Sequence, residues 1–225
     1  MAAKPKILLS WSSGKDSAWA LHVLGREERL EVAGLLTTLA AEHGRVAMHA
    51  VRERILDAQA KAVGLPLHKV FLPSPCSNDA YAALMSEALE LAAARGITGV
   101  AFGDLYLEDL RAYRERQLAS IGMSAHFPLW GRDTATLARE MIAGGLRAIT
   151  TCVDPKQLDP AFVGRPFDAR FLDSLPPGAD PCGERGEFHT CVLAGPMFSA
   201  PIPLVLGETV HRDGFAFADL VFEEQ

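Results

Sequence analysis

A strand pattern, a short polar loop and a helix pattern near the start of the chain limit its fold more than any other feature. Residues Ile7 to Ser17 read ILLSWSSGKDS, and an Ala- and Leu-rich stretch follows. The apolar run predicts a strand, and the small residues after it allow a sharp turn into a helix. Such a unit presents backbone N–H groups and a helix N-terminus to an anion. The sequence therefore predicts a phosphate-binding loop.

This loop lacks the spacing of the common phosphate loop, which needs Gly, four residues and then Gly-Lys-Ser/Thr. Leu9 stands where the first of those glycines would be, and an acid, Asp16, follows Lys15. An acid beside a phosphate repels it unless a cation lies between them, so Asp16 suggests a bound Mg²⁺ ion. The alternative is a Ser/Gly turn that only caps a helix.

Length and composition are those of an ordinary globular protein. The 225 residues can bury a proper core, and the net charge of −6 argues against a broad nucleic-acid surface. No apolar stretch approaches the ~20 residues of a membrane helix, and the first ten residues lack the apolar segment of a signal peptide. We therefore expect a cytoplasmic protein with no membrane partner, whose four separated cysteines are free thiols.

The first half of the chain alternates strand and helix patterns, which predicts a parallel sheet with crossover helices. The expected strands are Lys6–Trp11, Val32–Thr37, His68–Leu72 and Gly99–Gly103. The expected helices are Asp16–Arg29, Val51–Val63 and Asp79–Arg95. The last of these has an apolar stripe that we expect in the core, formed by Tyr81, Leu84, Met85, Ala88 and Leu91.

The second half begins near Pro128 and has a mixed pattern. We expect a helix at Thr134–Ala143, a strand at Ala148–Val153, a short helix at Asp168–Leu175 and an irregular loop at 176–183. Two alternating segments close the chain, at Ile202–Val210 and Phe215–Phe222. The Asp213-Gly214 pair between them is typical of a β-hairpin.

Polar residues lie at the end of three of the predicted strands or directly after it. They are Ser12, Thr37 with its neighbour Thr38, and Asp104. Parallel strands have their carboxyl ends at one edge of the sheet, and open α/β folds bind ligands there. We therefore expect the loop at 12–17 and Asp104 to face one crevice. The alternative for an acid in such a position is a helix N-cap or a turn.

A second group of reactive side chains lies at residues 183–190, which read GERGEFHT. Its glycines permit turns that could direct the two glutamates, the histidine and the threonine at a ligand. A solvated charged loop is the alternative. Such a loop has no need of Phe188 or of the apolar residues 191–193 that follow.

These two segments resemble one family. WSSGKDS is similar to the SGGxDS pyrophosphate loop of the PP-loop ATPases, which cleave ATP between the α and β phosphates, with Ser13 where that family usually has its first Gly. GERGEFHT resembles the GExGE(F/Y)HT signature of the diphthine–ammonia ligase family, a branch of those ATPases. The similarity to its bacterial branch spans essentially the whole chain. Further similar motifs are Met48–Arg52, Pro75–Asn78 with Tyr81, and Gly103–Leu105 with Glu108-Asp109.

The resemblance implies an α/β fold with a Rossmann-like (HUP-type) parallel-sheet ATP domain at 1–127 and a smaller α+β substrate domain at 128–225. It implies that the protein adenylates a carboxylate with ATP, releasing pyrophosphate, and that ammonia then displaces AMP to form an amide. ATP and Mg²⁺ would be needed, and the carboxylate would belong to a small molecule or a protein. A homodimer is compatible with this reading.

The motifs also imply roles for single residues. The nucleotide would contact Ser10, Ser12, Ser13, Gly14, Lys15, Asp16, Ser17, Thr37, His49 and Gly103. The substrate would contact Glu184, Gly186, Glu187, His189 and Thr190. The expected catalytic residues are Lys15, Asp16, Asp104, Glu187 and His189, with Asp16 as the metal ligand. Lys15 would neutralise a phosphate oxygen directly, and either Glu187 or His189 would accept the proton of ammonium.

Two other functions remain open at this stage. Other PP-loop enzymes transfer sulfur, a chemistry that generally needs a cysteine pair forming a persulfide, and no pairing is recognisable here. A nucleotide-binding sensor would bind ATP without turnover. Arg52 could reach the nucleotide or lie on a helix surface, whereas Glu108, Arg111 and Glu115 have the spacing of ordinary helical pairs.

Overall fold

The computed structural model describes residues 3–42, 44–46 and 51–223. Strands and helices alternate through the first half, and most of the later elements are strands. The elements are β1 (Lys6–Ser10), α1 (Lys15–Leu24), β2 (Glu31–Ala40), β3 (Arg45–Val46), α2 (Glu53–Val63), β4 (Leu67–Leu72), α3 (Asn78–Ala93), β5 (Ile97–Ala101), α4 (Glu108–Ala119), β6 (Ser124–His126), α5 (Thr134–Ala143), β7 (Arg147–Val153), a 3₁₀ turn (Pro160–Phe162), α6 (Ala169–Asp173), β8 (Phe188–Ala194), β9 (Leu204–Arg212) and β10 (Phe215–Phe222).

The strands of the first half form one mostly parallel sheet, as the alternating pattern predicts. Over the described residues its order is β3-β2-β1-β5-β6, and β4 also pairs with β2. The short β3 alone is antiparallel to its neighbour among these strands. The chain leaves β1 towards β2 and β4, then returns through α3 to β5 on the other side of β1. Open α/β sheets bind ligands at such a reversal, which here lies between the ends of β1 and β5.

A separate antiparallel sheet carries the second half, in the order β8-β7-β10-β9. The hairpin expected at Asp213-Gly214 is confirmed, because β9 and β10 pair directly on either side of it. Both turn residues have positive φ, +52° at Asp213 and +82° at Gly214, as a tight hairpin of this kind requires. The α/β fold with a smaller C-terminal unit is therefore confirmed.

Two apolar cores flank the parallel sheet. The larger joins one sheet face, through Leu9 and Leu35, to Leu56 of α2 and to Val192 of the second sheet. The smaller lies on the opposite face, where α3 and α4 pack. Because the larger core includes residues of both sheets, the second sheet has a fixed position beside the loop that follows β1.

A buried glutamine holds this loop against the second sheet. Gln59 of α2 is fully buried; its Oε1 accepts a hydrogen bond from Trp11 Nε1 at 2.9 Å. Its Nε2 donates to the Val192 carbonyl at 2.8 Å and to the Ser13 carbonyl at 3.2 Å. One side chain thus satisfies polar groups of the loop and of β8 that would otherwise be buried without partners.

Some sequence-based expectations differ from the structure. Helix α1 ends at Leu24 rather than Arg29, because Gly25 follows as its C-cap. Leu91, expected in the core, is 56% exposed, because the buried face of this part of α3 is formed by Leu89 and Ala92 on either side of it in sequence. Strands β3, β6 and β8 were not predicted; β8 begins within the GERGEFHT segment. Among the described helices, none has the length and apolar character needed to cross a membrane.

Arg52 pairs with the second sheet. Its Nε lies 3.0 Å from Asp219 Oδ1, and Arg45 Nη1 lies 3.0 Å from the same oxygen. Burial alone would raise the pKa of Asp219, but the hydrogen bonds and charges of the two arginines lower this pKa to about 2. Arg52 therefore connects the start of α2 to β10. The neighbouring His49 lies outside the described residues.

Candidate functional site

The loop after β1 makes the tight turn into a helix N-terminus that the sequence predicts. Ser13 is fully buried and has a φ of +74°, the left-handed conformation that glycine adopts most easily. Gly14 is the extended N-cap residue of α1, and its N–H donates to Ser12 Oγ at 3.3 Å. The N-terminus of α1 therefore follows directly on a tight loop, at the reversal point of the sheet.

Lys15, for which the sequence suggests a phosphate contact, binds protein groups in this structure. Its side chain is 2% exposed, and its Nζ donates to Asp16 Oδ2 at 2.8 Å and to the Cys182 carbonyl. The ammonium group also lies 5.3 Å from the ring centre of Phe188. Lys15 thus connects the loop to the segment before β8. It borders the cleft, but its charge is directed at protein groups and not at an open phosphate position.

The two sequence motifs meet at one cleft of about 240 Å³. Thr190 Oγ1 accepts a hydrogen bond from the Lys15 N–H at 3.1 Å, and the Val192 N–H donates to the Ser13 carbonyl at 3.0 Å. Residues of the cleft wall include Ser10, Ser12, Lys15, Asp16, Ser17, Gly103, Asp104, Glu184, His189 and Thr190. The expectation that the loop and Asp104 face one crevice agrees with this geometry.

Gly103 permits the close approach of the β5 end to α1. A Cβ atom at this position would lie 2.8 Å from the Asp16 carbonyl carbon and 2.9 Å from the Ser17 nitrogen. Both distances are too short for any side chain. Glycine at 103 therefore allows Asp104 to lie beside Asp16.

Three carboxylates make the cleft acidic. Asp16 Oδ1 is buried without a hydrogen-bond partner among the described residues. Asp104 Oδ2 pairs with Arg114 Nε at 2.6 Å. Burial raises the pKa of Asp104, the positive charge of Arg114 lowers this pKa, and the negative charge of Asp16 raises it further. Glu184 Oε1 accepts a hydrogen bond from the Leu105 N–H at 2.7 Å. An unpartnered carboxylate oxygen in acidic surroundings suits a cation.

Glu184→Gln should remove part of the pH dependence of stability. Burial, together with repulsion from Asp16 and Asp104, raises the pKa of Glu184 to about 7. The hydrogen bond from Leu105 and the attraction of Lys15 lower this pKa but do not cancel the increase. Because the pKa in the folded state exceeds the ordinary value of 4.5, the free energy of unfolding falls as the pH rises from 4.5 to about 7. Glutamine can still accept from Leu105 but does not ionise.

We expect the Gln variant to be more stable than the parent protein above neutral pH by about 2 kcal/mol, allowing for solvent screening. Below the ordinary pKa of glutamate this difference should disappear. Urea unfolding of both proteins without nucleotide, at one pH on each side of the window, measures it. An equal difference at both pH values would contradict the assignment.

Glu187 lies outside the cleft. The residue is 2% exposed; its Oε1 accepts from the Asp180 N–H at 2.9 Å, and its Oε2 accepts from the Arg185 N–H at 3.0 Å. Arg185 also forms an ion pair with it at 3.1 Å. The carboxylate thus shapes its own loop, and this position does not suit the proton acceptor or substrate contact expected from the sequence. Gly186, with a φ of +83°, likewise belongs to the turn and not to the cleft wall.

A second, larger cavity contains Thr37. Its hydroxyl is buried without a hydrogen-bond partner among the described residues, and Thr37 lines a space of about 490 Å³ on the α3–α4 side of the sheet. Ser10, Ser12 and His189 border both this cavity and the cleft. His189 lies half-buried in β8 at the junction of the two spaces.

Sequence reasoning missed Arg114. Arg114 borders both spaces, pairs with Asp104 and lies 4.2 Å from the ring centre of Phe102. A signal was present, because Leu110, Arg114 and Leu118 follow at intervals of four and share one face of α4. A cation within an apolar stripe indicates a specific partner. The Arg111–Glu115 pair, by contrast, is the helical ion pair expected, with a separation of 2.8 Å.

Comparisons with known proteins agree with this geometry. Residues 5–125 match the model of the diphthamide synthase N-terminal domain, and residues 133–219 match that of the diphthamide synthase C-terminal domain. Among similar curated proteins, diphthine–ammonia ligase of Danio rerio is 29% identical, covering 76% of this chain and 73% of its own length. The Mus musculus protein of the same name is 27% identical, covering 94% and 87%. The chain therefore belongs to the diphthamide synthase family.

Proposed function

We propose that this protein is an ATP-dependent ligase that adenylates a carboxylate and amidates it with ammonia. The observation that carries the proposal is the meeting of the phosphate loop, Asp16, Asp104, Glu184 and His189 in one cleft. The relatives named diphthine–ammonia ligase support the reaction type. A carboxylate needs such activation, because its oxide is a poor leaving group whereas AMP is a good one.

The loop would bind the β,γ-pyrophosphate. The positive end of the α1 dipole would stabilise the negative charge that grows as the bond between the α and β phosphates breaks, which is the charge a catalyst must stabilise. Ser12 and Ser17, both on the cleft wall, add hydroxyl groups. Lys15 would fix the loop against the Cys182 carbonyl.

Mg²⁺ fits the residues present. Asp16 offers one oxygen without a partner, and Asp104 and Glu184 stand on the same wall. The described residues contain no preformed cluster of three or more metal-binding side chains. This suits Mg²⁺, which proteins bind through one or two carboxylates together with phosphate oxygens. The ion would neutralise phosphate charge when bound.

His189 is the better candidate for the base. Ammonium must lose a proton to become a nucleophile, and the acceptor must reach the site of attack. His189 borders the cleft, whereas Glu187 is buried behind it with its oxygens occupied. We therefore assign the proton acceptor to His189 and a positioning role to Glu187.

Sulfur transfer is less compatible with the structure. Cys152, Cys182 and Cys191 are buried, and Cys76 is half-buried. Burial raises the pKa of Cys152 and Cys191 to about 12, and it also raises the pKa of Cys182. Thiols in this state are poor nucleophiles at neutral pH. Single Cys→Ser variants should therefore retain activity, and loss of activity in one of them would favour sulfur transfer.

The test of the function is a product assay. The protein is incubated with ATP, Mg²⁺, ammonium and a panel of carboxylates, including diphthine, which appears in the name of the relatives. We expect AMP and pyrophosphate in equal amounts, dependent on the carboxylate, and an amide product dependent on ammonium. ATP binding without AMP release under every condition would favour the sensor instead.

We further propose a role for each half of the chain, a branch of the family, a cellular location and an oligomeric state. Residues 1–127 would bind ATP and residues 128–225 would shape the substrate site. The form of the motifs supports the bacterial branch, and the free thiols support a cytoplasmic location. The edge strand β9 exposes Val205, Leu206 and Val210, which supports a homodimer.

A further inference from the structure

The cavity of about 490 Å³ beside the cleft has the size of a small-molecule site. It lies between α3 and α4 above the parallel sheet, and most of its wall is apolar. Its apolar residues include Leu36, Met85, Leu89, Val100, Leu110 and Leu118. It opens into the phosphate cleft at Ser12, Phe102, Arg114 and His189, which border both spaces.

Helices α3 and α4 leave this space unfilled. Tyr81 and Met85 of α3 and Leu110 of α4 are only half-buried, and Tyr113 is 39% exposed. The apolar stripe of an amphipathic helix normally packs fully against a neighbour. Here the facing stripes line a groove that reaches from the sheet to the surface.

The cavity has two chemically different ends. The end beside β2 contains Thr37, whose buried hydroxyl lacks a hydrogen-bond partner among the described residues, and Thr38. Unpaired buried hydroxyls are rare and suit a polar ligand such as the ribose or base of ATP. The end between α3 and α4 is mostly apolar, with Gln117 and the tyrosines at its rim.

The electrostatics of the wall restrict the charge of a ligand. Of its described lining residues, Arg114 alone carries a permanent charge, and that charge is at the junction with the cleft beside Asp104. A carboxylate at this junction would lie near Arg114 and His189 and close to the phosphate loop. A second charge on the ligand would enter the apolar end without a partner, which is costly.

We propose that the α3–α4 end of the cavity binds the body of the carboxylate substrate, and that this substrate is a small monocarboxylic acid with an uncharged aliphatic or aromatic chain. The inference rests on the proposed function, since it places the carboxylate where adenylation would occur. The nucleoside then occupies the Thr37 end, and the two ligands meet at the cleft.

Calorimetry tests this without turnover. 3-Phenylpropanoate, hexanoate and L-glutamate are titrated separately into protein saturated with α,β-methylene-ATP and Mg²⁺. In Gln117→Trp the larger side chain would occupy the cavity from its rim, and in Leu110→Trp from its wall. Arg116→Trp is the matched control, an exposed neighbour on α4 that does not line the cavity. We expect the Trp variants at 117 and 110 to weaken 3-phenylpropanoate binding at least tenfold, with less than a twofold effect at 116.

The Kd of the ATP analogue should change less than twofold in all three variants. Tighter binding of glutamate than of 3-phenylpropanoate and hexanoate, or no effect of Gln117→Trp, would overturn the inference. Weaker binding of the ATP analogue to the Gln117→Trp variant would assign the α3–α4 end of the cavity to the nucleoside and would also overturn the inference. If the ligands bind as expected but the product assay shows no AMP release, the ligase activity is refuted and the substrate pocket is supported. If AMP is released with glutamate alone, the ligase activity is supported and the substrate pocket is refuted.

Discussion

Asp16→Asn should lower Mg²⁺-dependent AMP release about a thousandfold while the protein remains folded. The change removes the negative charge that the unpartnered Oδ1 offers to a cation. A metal at a transferring phosphate contributes several kcal/mol, and each 1.4 kcal/mol is a factor of ten in rate. The measurement is AMP release as a function of Mg²⁺ concentration, with circular dichroism to verify folding.

Lys15→Met separates the metal role of Asp16 from its ion pair. Both variants lose the ion pair between residues 15 and 16, but only Asp16→Asn loses the carboxylate. We therefore expect the Mg²⁺ dependence of ATP binding to persist in Lys15→Met and to be lost in Asp16→Asn. Parental turnover in Asp16→Asn would exclude a metal at this residue. Equal loss of the dependence in both variants would assign the effect to the ion pair.

Much of the fold could be predicted because its strands, helices and turns depend on local sequence patterns. The loop after β1, the alternating elements and the hairpin at Asp213-Gly214 each follow from residues adjacent in sequence. The convergence of Asp104 on the loop also follows, since parallel strands place their carboxyl ends together. Strand β8 was missed because its apolar pattern merges with a segment that reads as a reactive loop.

The functions of individual side chains were harder to predict, because contacts distant in sequence decide them. Lys15 is adjacent to a phosphate loop, yet it reaches Cys182, which is 167 positions away. Glu184 and Glu187 belong to one motif three residues apart, yet the first borders the cleft and the second does not. The turns at Gly183 and Gly186, both with positive φ, direct the two carboxylates differently. Spacing alone does not specify that difference.

Glu187→Ala should destabilise the protein by about 2–4 kcal/mol, since each buried donor left without an acceptor costs about 1–3 kcal/mol. The Asp180 and Arg185 N–H groups would lose their acceptor, and a cavity would remain. Glu187→Gln should cost less, about 1–2 kcal/mol, because its amide oxygen still accepts one of these bonds while its NH₂ group faces a donor. Urea unfolding of the parent and both variants measures these differences.

The same variants decide between positioning and proton transfer. If Glu187 accepted the proton of ammonium, Glu187→Gln would lose amide formation even under conditions where the variant is fully folded, with an unchanged KM for the carboxylate. Hydroxylamine, largely unprotonated at neutral pH, would then restore product formation. In the positioning role the stability changes, the KM for the carboxylate rises because Glu184 and His189 flank the same loop, and hydroxylamine gives no selective rescue. His189→Gln should show the opposite pattern, with stability nearly retained and activity recovered by hydroxylamine.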